Sequence, residues 1–158
     1  MLDEIDRKIL NIIQESGRLA NAELARQLNL APSGVLERVK KLEQRGIISG
    51  YETRLDRQAL GLSITTFIQI LSQDRVGSTA VGKELCQIPE IREVHWIAGE
   101  TNYLVKACLH ATGDLTQLLK KIGTITGVLD TRTTLVLETM KDSAIIPAQQ
   151  LRPQPEAR

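Results

Sequence analysis

The sequence predicts an α+β chain: a small helical domain over residues 1–61, a β-α-β-β-α-β domain over residues 62–146, and a flexible tail over residues 147–158. Three observations predict it. Apolar residues recur at helical spacing as far as Gly46. Runs rich in β-branched residues then alternate with two helical stretches. Pro147, Pro153 and Pro155 finally crowd a segment with few apolar side chains, a composition expected to be disordered.

In the first domain, Asp3 is placed to cap a helix whose stripe is Ile5, Ile9, Leu10, Ile12 and Ile13, with Gly17 as its stop. Asn21 is expected to cap a second, shorter helix, Ala22 to Leu28, that turns at Asn29. Pro32 fits the first turn of a third helix, because its missing N–H costs nothing there, and that helix is expected to run to Arg45 before Gly46. At about 100° per residue its core side holds Val35, Leu36, Val39 and Leu42. Ser33, Gly34, Glu37, Arg38, Lys41, Gln44 and Arg45 fall on the polar side, with Lys40 adding to the basic set. Two short helices joined by a tight turn, the second amphipathic and basic, suit insertion into a DNA major groove. Small residues at its start would let the free N–H groups of the helix approach a phosphate. The alternative is a solvated helix face in a small bundle. Ile47 to Leu55 has strand-like character, which makes the unit winged-helix-like, and residues 56–61 read as a linker.

In the second domain, strands are expected over Leu62 to Ser72, Ile91 to Gly99, Tyr103 to His110 and Thr131 to Met140. Helices are expected over Ser78 to Ile88 and Asp114 to Ile122, giving the order of a ferredoxin-like fold with an antiparallel sheet covered on one face. The first strand divides Ile64, Ile68 and Ile70 from Phe67 and Leu71, and the last divides Leu135 and Leu137 from Val136 and Met140. Apolar residues on both faces call for a second covering layer, and another copy of the chain is the simplest one.

Composition narrows the function classes. No apolar run approaches the roughly 18 to 20 residues that cross a bilayer, and the acidic start Met1-Leu2-Asp3-Glu4 is unlike a secretion signal, so a cytoplasmic protein is expected. Cys86 and Cys108 lack metal-ligand spacing and are read as small buried side chains; no metal and no cofactor is expected. The net charge of +1 says little, since phosphate attraction depends on how the cations are arranged.

Several blocks together resemble the Lrp/AsnC ("feast/famine") regulators of bacteria and archaea. They are Asp3-Glu4-Ile5-Asp6-Arg7-Lys8-Ile9-Leu10, Asn21-Ala22-Glu23-Leu24-Ala25, Leu30-Ala31-Pro32-Ser33, Arg38-Val39-Lys40-Lys41-Leu42-Glu43 and Gly46-Ile47-Ile48-Ser49-Gly50-Tyr51. In the second domain the likeness continues through Ala98-Gly99-Glu100-Thr101-Asn102-Tyr103-Leu104-Val105-Lys106, Gly127-Val128 and Thr131-Arg132-Thr133. The resemblance implies a DNA-binding regulator and not an enzyme. It implies contacts to double-stranded DNA from Ser33, Gly34, Glu37, Arg38, Lys40, Lys41 and Arg45. It also implies sheets paired into homodimers that assemble further into tetramers or octamers, and an amino-acid or similar effector at a cleft. The residues implied there are Ala98, Gly99, Glu100, Thr101, Asn102, Tyr103, Thr131 and Thr133.

Three positions depart from the family pattern. Ala31 replaces a common Ser cap, Glu37 stands where a basic residue is common, and Asn102 replaces a usual Asp, with Glu100 as the substitute carboxylate. The same two-domain outline is shared by enzymes that decarboxylate sirohaem-type tetrapyrroles, which would require His95 or His110 to meet such a substrate; both histidines read as structural. A regulator without an effector is the remaining alternative, with Gly99 to Tyr103 then only a hairpin turn.

Overall fold

A computed structural model describes residues 2–151. The chain divides into two compact units, one running to Arg54 and joined by the segment that begins at Lys141, the other spanning Leu55–Met140.

The first unit holds α1 (Glu4–Glu15), α2 (Asn21–Leu28) and α3 (Pro32–Gln44). Asp3 caps α1 through a reciprocal box: its Oδ1 accepts from the Asp6 amide at 2.8 Å, and Asp6 Oδ2 accepts from the Asp3 amide at 3.2 Å. The α2 cap differs from expectation. Asn21 is already helical, and Ala20 stands at the cap with no side-chain bond. Asn29 takes the left-handed conformation at φ 56°, which Asn tolerates better than most residues, and turns the chain toward α3. Ile9, Leu10, Leu24, Ala25, Val35, Val39 and Leu42 form the core.

The expected strand over Ile47–Leu55 does not form. The Ile47 and Ile48 amides both donate to the Leu42 carbonyl, closing the end of α3 around Gly46, and among the described residues the stretch has no strand partner. Tyr51 instead donates to Glu43 of α3 at 3.0 Å.

The tail expectation also changes. Ala148–Gln150 forms a 3₁₀ turn, and Leu151 packs on the core of the first unit. The Gln14 side-chain amide holds Ile146 from both sides, accepting from its N–H at 2.7 Å and donating to its carbonyl at 3.2 Å. Arg54 donates to the Asp142 carbonyl at 2.6 Å. The remainder of the expected tail, 152–158, lies outside the described residues.

The second unit is a four-stranded antiparallel sheet in the order β2-β3-β1-β4, from β1 (Ile64–Ser72), β2 (Ile91–Trp96), β3 (Tyr103–Leu109) and β4 (Val128–Leu135). The helices α4 (Ala80–Leu85) and α5 (Thr112–Gly123) supply Val81, Leu85, Leu118 and Ile122 to a core shared with Ile68, Ile70, Tyr103, Val105, Ala107 and Leu109. Asp114 accepts from the His110 and Ala111 amides, so α5 begins at Thr112, earlier than the apolar spacing alone predicts. The last strand ends at Leu135 and not at Met140. Its partner β1 offers only the Thr65 carbonyl beyond that pair, taken by the Val136 amide, and Leu137 and Met140 are left exposed. Cys108 is buried as expected, but Cys86, at the C-cap of α4, is exposed.

Candidate functional site

The polar face of α3 sorts its basic residues into two kinds. Arg38 sits on the flank beside the core stripe and turns toward α1, where Nη1 meets Asp3 Oδ2 at 2.5 Å and Asp6 Oδ1 at 2.8 Å. Asp6 is buried, so this contact joins two helices, and its two carboxylates hold the guanidinium pKa above its usual value. Lys41 pairs with Glu37 one turn earlier at 2.7 Å, and that bond keeps the Glu37 carboxyl below the ordinary range. Among the described residues, the Lys40 and Arg45 side chains make no ion pair, and both are exposed. Ala31 offers no side-chain cap, and Pro32 occupies the first turn. The amides of Ser33 and Gly34 therefore point out of the helix start without a capping side chain, which is the arrangement that receives a phosphate oxygen. Gly34, Glu37, Lys41 and Arg45 line one shallow hollow with Arg38 at its wall. Leu36, expected on the core side, is 40% exposed on this surface.

The second set of expected residues gathers at one end of the sheet. Trp96 faces Tyr103, Tyr103 faces Ile70, and Ile70 faces Thr131, so one row crosses all four strands beside the Ile97–Asn102 turn. Ala98, Gly99 and Glu100 are exposed; Gly99 has φ 143° and open space where a Cβ would stand, so the turn backbone is open to approach. Asn102 and Tyr103 are committed to the fold. The Asn102 Oδ1 accepts from the Ser72 amide at 2.7 Å, tying the turn to the end of β1. The Tyr103 ring is buried against Gly82, where an added Cβ would lie 2.6 Å from the ring, and its hydroxyl donates to Asp74 at 2.6 Å. Burial and that carboxylate both raise the phenol pKa.

The register corrects the picture of β4. Thr131 and Thr133 face Ile70 and Ile68, and so lie on the helix-covered side. Arg132 faces Gln69 on the open side, and its Nη1 reaches Glu100 Oε2 at 3.1 Å. The β4 side chain that bonds to the turn is thus Arg132, which lay between two residues chosen from sequence. Counting by two from Phe67 across the pairing would have found it. The histidines do not converge. His95 lies on β2 opposite Leu104, 3.3 Å from Glu93, whereas His110 follows β3 with Nδ1 3.0 Å from the Gly61 carbonyl.

Two family models match, a winged helix-turn-helix DNA-binding domain over residues 2–49 and an Lrp/AsnC ligand-binding domain over residues 65–146. The leucine-responsive regulatory protein of Escherichia coli K12 is 37% identical over 152 residues, covering 90% of this chain and 88% of that relative. Among solved structures, a transcriptional regulator from Neisseria meningitidis in complex with L-methionine superposes with a TM-score of 0.89 at 30% identity, covering 96% of this chain and 100% of the other. A feast or famine regulatory protein from Mycobacterium tuberculosis, complexed with L-methionine, gives 0.85 at 31%, covering 92% and 99%.

Proposed function

The chain belongs to the Lrp/AsnC family of transcriptional regulators, and from that premise we propose that it reads duplex DNA through the outer face of α3 as a homodimer, with an amino acid at the turn end of the sheet setting its output. One observation carries the DNA assignment. The uncapped amides of Ser33 and Gly34 open at the N-terminal end of α3, and the exposed cations of Lys40 and Arg45 lie outside its core stripe of Val35, Val39 and Leu42. Backbone amides and cations fix register on phosphates, while Glu37 and Ser33 are the groups placed to meet base edges, Glu37 as an acceptor for cytosine N4. Arg38 belongs to the helix-to-helix contact and Lys41 is shared with Glu37.

Self-association rests on the open sheet face, where the apolar Phe67 and Leu71 stay only half-buried. A second copy covers that surface and presents a second α3 to a pseudo-palindromic operator with half-sites about 34–36 Å apart. Tetramers or octamers would need a second contact between such dimers, since a twofold pairing closes on itself. The effector class is proposed from the two similar structures that hold L-methionine, together with the open turn at Gly99. Tetrapyrrole decarboxylation is not favoured, because both matched domains and the similar proteins are those of regulators. Non-enzymatic regulation in the cytoplasm, where the DNA is, fits the site. Fluorescence anisotropy with fragments selected from a random duplex library at about 50 mM salt tests the reading. Enrichment of a twofold-symmetric sequence is expected; no enrichment at any salt would sink it.

A further inference from the structure

Glu100 and Arg132 are an ion pair with unusual placement: one comes from the β2–β3 turn and the other from β4, on the far side of β1 in the strand order. Within a single chain their side chains are 85% and 64% exposed, so no packing inside that chain enforces the contact. The nearby polar groups have other partners. Asn102 is neutral and accepts from Ser72, Asp74 accepts from Tyr103 and the Val81 amide, and Asp130 accepts from the Thr131 amide.

We propose that this pair reads the two charges of an α-amino acid: the effector's carboxylate takes Arg132, its ammonium takes Glu100, and the Glu100–Arg132 contact holds the place until the effector arrives. The inference rests on the reading of this sheet end as the effector site and deepens it by naming the groups that recognise the backbone of the ligand. The exchange is balanced in charge, since one ion pair within the protein becomes two with the ligand. An exposed pair costs little to part, so insertion meets little opposition. The guanidinium fork matches a carboxylate bidentately, and the carboxylate of Glu100 accepts from an ammonium. Glu100 also supplies the negative charge that Asn102 cannot. The pair ignores the ligand's side chain, so a free amine and a free acid are required of every effector.

The test is calorimetric titration of the full chain with the twenty common amino acids, L-methionine first. The tightest binder is then compared with its N-acetyl derivative and its decarboxylated amine. Both analogues should bind wild type at least tenfold more weakly. R132Q should bind the parent amino acid at least tenfold more weakly and lose the discrimination against the amine. E100Q should weaken it similarly and lose the discrimination against the N-acetyl derivative. Melting temperatures of both unliganded variants should match wild type, which separates ligand reading from damage to the fold. If wild type binds an amino acid and both variants bind it equally well, the pair is not the reader and the effector end stands without it. If wild type binds none of the twenty, the effector reading and this inference fall together.

Discussion

The two units each hold an arginine ion pair on a candidate site, and the pairs have opposite characters. In the helical unit Arg38 is gripped by the N-cap carboxylate of Asp3 and the buried Asp6 of α1, whereas in the sheet unit Arg132 meets a single carboxylate that is largely exposed within its own chain. The first is architecture and the second is exchangeable. A buried acid left without its cation destabilises the fold, while an exposed pair contributes little to stability and remains available to a ligand. Charge and position in a motif do not separate these cases; the burial of the partner does.

The sharpest way to break the comparison is to remove each pair and measure stability. Asp6→Ala loses both the Arg38 contact and half of the α1 capping box, and should cost about 2 kcal/mol in denaturant unfolding. That is less than a fully buried pair would cost, because Arg38 is itself about one-third exposed. Arg132→Ala should leave the unfolding midpoint unchanged. Equal losses from the two would erase the distinction.

A second, smaller effect separates cations within α3. Lys40→Ala combined with Arg45→Ala should weaken operator binding by about tenfold near 0.1 M salt and lower the log–log salt slope by about 1.8, at ~0.9 per phosphate contact. Arg38→Ala should lower the melting temperature but leave that slope intact, since its charge is already neutralised within the unit. A slope change in Arg38→Ala would return that residue to the DNA face.

The smallest effect is in acid. The Asp6 amide, then the Arg38 guanidinium, hold the Asp3 carboxyl below its usual value. A depressed carboxyl contributes stability that is fully present above its unfolded pKa, near 4, and is lost as pH falls through the lower folded value. Glu23, held at about 2 chiefly by Arg26, behaves alike. Melting temperature measured from pH 5 to pH 2.5 should decline below about pH 4, and less steeply in Arg38→Ala. An identical decline in that variant would show that the Asp3 contact carries none of it.

Much of the helical unit was legible because a period of 3.6 is local: α1, α3 and their buried stripes follow from spacing, and Asp3 from its cap position. The role of Arg38 was not, since its partners lie 32 and 35 residues away. In the sheet unit the element order was legible, but strand ends and faces depend on pairing. The last strand stops where β1 runs out, and Arg132 joins the turn because of register, which a single strand does not carry. Gln14 gave no signal, because an amide on the exposed side of a helix looks like any other solvated residue until the chain returns to it.

That return has a consequence for modularity. Since Gln14 clasps Ile146 and Leu151 rests on the helical core, the DNA-reading unit is assembled from both extremities of the described chain, with the sheet inserted between them. No single scission frees either unit whole. A transplant of the N-terminal half alone would leave behind part of its own packing.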